Sequence, residues 1–289
     1  MSEPTLLYDA RAELGEGPVW SRRRQRLLFV DINQGEVHEF DPATGRDAVV
    51  HVPGTVGAIA EAEDGSLVIA TNGGFSRIGP AGSLTHVADA VSGRVDVRMN
   101  DGYVDARGRF WAGTMSLTGA AGAGALYRLD ENHTVHEMLR PVTTSNGIDW
   151  SPDNELTYYA DTRTGRVDVF DFDLDRGTLS NRRPFISIDP RIGRPDGLIV
   201  DADGGVWVAL WAGGALRRYT SEGALDRDIP LPAKNVTKCA FGGATLEDLY
   251  VTTAWKGMTS TEREGAPHAG GIFHLRPGVR GKPTTLFRG

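Results

Sequence analysis

Leu27-Leu28-Phe29-Val30, Leu67-Val68-Ile69-Ala70, Phe110-Trp111-Ala112-Gly113, Thr157-Tyr158-Tyr159-Ala160, Val206-Trp207-Val208-Ala209 and Leu249-Tyr250-Val251-Thr252 are copies of one short apolar run. Their last residues are 30, 70, 113, 160, 209 and 252, so the copies recur every 40 to 49 residues along the whole chain. Recurrence at this period marks a repeat architecture. Most runs are preceded by a second apolar stretch that ends in a turn, as in Ile59 to Asp64-Gly65 and Leu198 to Asp203-Gly204. Asp-Gly between apolar stretches is a hairpin signal. A third stretch follows with alternating character, as in Glu36-Val37-His38-Glu39-Phe40 and Arg166-Val167-Asp168-Val169-Phe170, and a weaker fourth closes several units, as in Ala48-Val49-Val50-His51. Period-two alternation dominates and no helical pattern competes with it. Four antiparallel strands every 40–45 residues describe one propeller blade. The sequence therefore predicts an all-β, six-bladed β-propeller occupying residues 1–289 as a single domain. Six equal units disfavour an ordinary sandwich. Ring closure is expected from Leu6-Leu7-Tyr8 as the outer strand of the last blade, with Thr284 to Phe287 as a competitor.

Composition agrees and excludes other classes. Of 289 residues, 40% are apolar and 24% charged, which is the balance of a folded globular chain. The 37 glycines follow no three-residue period, which excludes collagen, and they sit near turns, which suggests many short strands. A net charge of −7 with no basic stripe argues against nucleic acid as a partner. Arg22-Arg23-Arg24 reads as a solvated turn. No apolar run approaches 18 residues, so no membrane partner is expected. The only cysteine, Cys239, sits beside Ala240 and Phe241 and reads as a buried thiol. No disulfide framework is possible, and a reducing cytoplasm is the expected compartment. No obligate protein partner is evident.

The innermost strand of a blade lines the channel. Counting back 13 or 14 residues from each signature end reaches Glu16, Gly57, Asn100, Asn146, Asp196 and Lys238. These should ring one end of the channel, and four of them carry side-chain oxygen. Asn-Gly and Asp-Gly are also ordinary turn pairs. That explains Asp64, Asp105, Asp153 and Asp203 well, but not oxygen ligands recurring at an inward register. Two carboxylates converging in a narrow channel repel unless a cation or a shared proton neutralises them. An oxygen set with two negative charges suits calcium, magnesium or manganese. No histidine falls on the ring, which disfavours a histidine-rich zinc site.

Leu14-Gly15-Glu16-Gly17-Pro18-Val19-Trp20, Arg98-Met99-Asn100-Asp101-Gly102 with Gly113-Thr114-Met115, Ser145-Asn146-Gly147-Ile148-Asp149-Trp150, and Pro195-Asp196-Gly197 followed by Asp201 resemble the senescence-marker protein/gluconolactonase/luciferin-regenerating enzyme-like family. The likeness runs over essentially the whole chain. It implies a six-bladed propeller with one axial divalent cation, with calcium, magnesium, manganese, zinc and iron all open. It further implies that Glu16, Asn146 and Asp196 bind the metal, that Asp196 is the catalytic acid/base, and that Arg98 and Asn100 hold the substrate. On an extended segment Arg98 faces the same side as Asn100. The implied reaction is hydrolysis of an aldonolactone, a small-molecule sugar lactone, to its acid. Ser116-Leu117-Thr118 stands where some members carry a glutamate, a departure that bears on which sugar is taken.

A lactone needs a polarised carbonyl and an activated water, which a divalent cation and a neighbouring carboxylate supply. No Gly-x-Ser-x-Gly elbow is present. Phosphotriester hydrolysis and non-enzymatic cation binding are the rival readings. Loops between second and third strands should rim the mouth: Asn72-Gly73-Gly74, Met115 to Gly124, Trp211-Ala212-Gly213 and Trp255 to Gly270. The last is expected to lack regular structure and act as a partial lid, with Trp211 and Trp255 offering apolar faces to a sugar ring.

Overall fold

The computed structural model describes residues 2–79, 82–91 and 93–289. Among them 24 strands, numbered β1–β24 in chain order, form six antiparallel sheets of four. Each signature run is the second strand of a blade. It is apolar on both faces because it is covered on both: β7 (Leu67–Thr71) is buried throughout, and β3 (Arg26–Asp31) at every position but its first. The outermost strands meet solvent and alternate, as β5 (Arg46–His51) does. The hydrophobic core is divided into seams between neighbouring blades rather than gathered at one centre. One seam joins Leu28, Val30 and Val37 to Val56, Ile59 and Ile69; another joins Trp207 and Leu216 to Phe241, Val251 and Phe273.

The inner strands are β2 (Gly15–Ser21), β6 (Val56–Glu61), β10 (Val97–Val104), β14 (Ser145–Trp150), β18 (Arg194–Val200) and β22 (Asn235–Gly242). Each packs on the next, and β22 packs back on β2. Closure follows the first of the two expected routes. β1 (Thr5–Tyr8) pairs with β24 (Ile272–Leu275) and completes the sixth blade. The competing segment runs elsewhere, across the end of the channel where the inner strands finish. Gly281 bridges Asp201, Lys282 Nζ donates to Asp149 Oδ1 at 2.9 Å, Phe287 N donates to Glu61 O at 2.9 Å, and Arg288 N donates to Gly108 O at 3.0 Å. Phe287 is fully buried between blades 2 and 3.

Two aspartates that follow inner strands are fastenings. Asp105 accepts from Trp111 Nε1 at 2.7 Å and Arg109 Nε at 2.6 Å; Asp201 accepts from Trp207 Nε1 at 2.8 Å and Arg218 Nε at 2.7 Å. Asp105 is therefore more than a hairpin residue. The Arg22-Arg23-Arg24 run is only partly solvated, since Arg24 reaches Glu39 at 2.7 Å and Glu61 at 3.4 Å. Cys239 is buried as expected, and burial pushes its thiol up. No helix among the described residues is long and apolar enough to cross a membrane.

Candidate functional site

Every inner strand breaks its regular pairing near its start. The register shifts fall between Glu16 and Val19, Val56 and Ala58, Met99 and Gly102, Ser145 and Ile148, Pro195 and Leu198, and Val236 and Lys238. An extra residue in one strand bends it and re-aims side chains. Six such shifts at one level turn Glu16, Asn100, Asn146 and Asp196 into a common pocket of about 210 Å³. Gly147 and Gly197, which follow Asn146 and Asp196, are not turn residues here. A Cβ on Gly147 would collide with the backbone of Leu198, and one on Gly197 with the Lys238 side chain, so these positions let inner strands close on one another.

The pocket lining follows the blade repeat in three tiers. Glu16, Asn100, Asn146 and Asp196 form the deepest. Two residues earlier, on the same strands or just before them, stand Leu14, Arg98, Thr144 and Arg194. Two residues after the signature ends stand Ile32, Met115, Thr162 and Trp211, and Arg163 and Lys256 complete the wall. Blade 2 contributes nothing, because a side chain at Gly57 would strike the backbone of Met99 and Asn100. All five expected site residues are thus brought together. Arg163, Arg194, Thr144, Thr162 and Lys256 were missed.

Four expectations are corrected. Lys238 does not line the mouth. The shift in blade 6 lies one residue earlier, around Thr237, so Lys238 points along the channel and its Nζ meets Asp101 Oδ1 at 2.5 Å, with both side chains buried. Trp255 is outside the pocket: its Nε1 donates to Arg11 O at 3.0 Å and Arg263 stacks 4.1 Å over its ring. The segment after it is structured. Ser260–Gly265 is a helix, α1, started by a capping box between Thr259 and Glu262, and of Trp255 to Gly270 only Lys256 reaches the pocket. The lid is therefore not observed. Asn72-Gly73-Gly74 likewise faces a separate surface hollow.

The deep tier is held from behind. Asp31 accepts from the amides of Glu13 and Leu14 at 2.6 and 3.2 Å, and Asp161 from those of Thr143 and Thr144 at 2.9 Å each, fixing the strand starts that carry Glu16 and Asn146. Arg98 Nη1 donates to Met99 O at 2.8 Å and Asn100 Oδ1 at 2.7 Å; Asn100 Nδ2 donates to Ser145 O at 2.7 Å. Asn146 Nδ2 donates to Thr162 Oγ1 at 3.0 Å and to Asp196 Oδ1. Its Oδ1 is buried with no partner.

The charges are under strain. Burial, then the charge of Asp101, push Glu16 up to about 8. Burial and the charge of Glu16 raise Asp196 well above the carboxylate range. Burial draws Arg98 down to about 10, so it stays charged near neutrality. A carboxyl whose folded pKa exceeds its unfolded one stabilises the fold at low pH, and that contribution is lost as pH rises through the folded value. Chelator-treated protein should therefore lose melting temperature between pH ~5 and ~9, with Glu16→Gln reducing the fall. A variant with the parent's slope would contradict the assignment.

Two carboxylates that oppose each other's ionisation, beside an amide oxygen without a donor, form a set suited to a hard divalent cation. Among the described residues no three His, Cys, Asp or Glu side chains gather in a metal-type cluster, so the neutral oxygen of Asn146 is needed to make a third ligand.

The fold and this pocket define an axial-site propeller, and the chain belongs to the family described as the SMP-30/gluconolactonase/LRE-like region, whose model matches residues 14–255. It is 36% identical to regucalcin of Xenopus laevis over 285 residues, covering 96% of this chain and 95% of that one. A putative sugar lactone lactonase of Bacillus subtilis is also 36% identical, over 99% of both chains. The solved calcium-binding protein regucalcin of Agrobacterium tumefaciens superposes with a TM-score of 0.94 at 30% identity, covering 98% of this chain and 96% of that one.

Proposed function

We propose that this protein hydrolyses sugar lactones with a divalent cation held by Glu16, Asn146 and Asp196. The observation that carries the reading is the unpartnered Oδ1 of Asn146 beside the buried carboxylates of Glu16 and Asp196. When bound, the cation polarises the carbonyl and acidifies water. Asp196 takes the proton of the attacking water and delivers it to the ring oxygen as the carbonyl carbon–ring oxygen bond breaks. One water is consumed and one hydroxy acid is formed, which then loses its carboxyl proton to solvent. Arg98 spends Nη1 on the protein's own oxygens, leaving Nε–H and Nη2 for substrate oxygens. Asn100, pinned by Arg98 and Ser145, presents a fixed face rather than a rotating amide.

The similarity to the calcium-binding protein regucalcin of Agrobacterium tumefaciens favours a second reading, cation binding without turnover. A pH-stat screen of γ- and δ-lactones with a metal panel and a chelator separates the two. We expect hydrolysis above the spontaneous rate, abolished by chelator and restored by a divalent cation. Saturable cation binding with no turnover on any lactone would favour the second reading.

A further inference from the structure

The mouth has a charge pattern opposite to that of the chain. Overall the protein carries −7. The pocket is lined by four cations, Arg98, Arg163, Arg194 and Lys256, against two carboxylates, Glu16 and Asp196. A bound divalent cation would widen that excess. Arg98 spends Nη1 on a backbone and an amide oxygen. Arg163 and Arg194 are exposed at the pocket wall and make no ion pair among the described residues. Their chain neighbours Arg166 and Arg191 pair with Asp168 and Asp189. Lys256 is half-buried and its Nζ donates to the neutral Asn33 Oδ1 at 3.2 Å; burial and the charge of Arg98 hold its amine below the usual range, partly offset by the charges of Glu13 and Asp31.

Neutral hydroxyls need no such arrangement, since amides and carboxylates can read them. Unpaired guanidinium groups that line one concave site together with an ammonium match a carboxylate or phosphate, which arginine binds through two parallel hydrogen bonds. The cations also focus a positive potential at the entrance of an acidic protein, which draws anions in.

We propose, resting on the lactonase reading above, that the substrate is an anionic sugar lactone. Its carbonyl lies over Glu16, Asn146 and Asp196, and its far end carries a carboxylate or phosphate received by Arg163, Arg194 and Lys256. The test compares kcat/KM for glucono-δ-lactone with its 6-carboxylate and 6-phosphate counterparts. We expect one anionic lactone to exceed the neutral one by about tenfold or more, with the preference shrinking in ~0.5 M NaCl. Whichever arm is faster identifies the anion. Arg194→Gln and Arg163→Gln should each cut the anionic-to-neutral ratio by about tenfold, whereas Arg46→Gln on β5 should leave the ratio unchanged. A neutral lactone turned over as well as both anionic ones, with a ratio indifferent to the pocket variants, would overturn the proposal and spare the lactonase reading. If no lactone is turned over with any cation, that reading fails instead. Calorimetry with gluconate, glucarate and 6-phosphogluconate then decides the anion site. Tighter binding of glucarate or 6-phosphogluconate than of gluconate, lost in the double variant Arg163→Gln/Arg194→Gln, sustains it; equal binding of all three refutes it.

Discussion

Asp196→Asn should lower kcat by roughly 10²–10⁴-fold, the range for loss of a general acid/base. The substitution keeps the shape and one oxygen while removing the proton acceptor. Asp196 is buried, and its Oδ1 already accepts from Asn146, so the amide variant must also turn a donor toward Asn146 or the pocket. Cation affinity should weaken as well, so turnover is measured at saturating metal. Asp203→Asn is the control: it sits in the exposed turn after β18 and should retain parental turnover. Equal losses in the two variants, with melting temperatures unchanged, would remove Asp196 from the chemistry.

Lys238→Met should destabilise the fold by about 3–5 kcal/mol, the effect of leaving a buried charge without its partner. Its Nζ meets Asp101 Oδ1 at 2.5 Å and Gly102 O at 3.2 Å, and the ring of Tyr103 lies 5.5 Å from the amine. Removing the amine leaves Asp101 facing Glu16 and Asp196, three carboxyls with no ammonium among them. The double variant Asp101→Asn/Lys238→Met should recover more than half of the loss, because the charge is gone and the amide oxygen still accepts from Gly102 N. Denaturant midpoints at constant m-value give the readout. A single variant within ~1 kcal/mol of the parent, as for a solvated pair, would show that the pair is not dry.

The fold was legible because burial on both faces makes each signature strand continuously apolar, and six such strands, each followed by alternating strands at a period of 40 to 49 residues, are the mark of propeller blades. The deep tier was legible because inner strands repeat at a fixed distance from those runs. Arg194 was equally legible, since Arg194-Pro195-Asp196 repeats the spacing of Arg98-Met99-Asn100. Lys238 was misplaced because counting assumes one geometry for all six blades, and the register shift of blade 6 comes one residue early. The helix after Trp255 was announced by Thr259 and Glu262, three apart, which is the capping-box spacing, beside Gly257, Gly265 and Pro267, which signal irregular chain. Arg163 and Lys256 lie beyond the strand ends, where no period constrains them, and only the folded loops bring them to the wall.

The segment from Gly281 to Arg288 crosses the far end of the channel, and the Asp101–Lys238 pair fills the axis above it. The pocket is thereby backed by protein on its axial side, so a ligand enters and leaves by the mouth that Arg163, Arg194 and Lys256 line. If the protein hydrolyses anionic lactones as proposed, the acid formed would leave past the same charges that drew its precursor in, and added hydroxy acid should then compete with fresh lactone in initial-rate measurements.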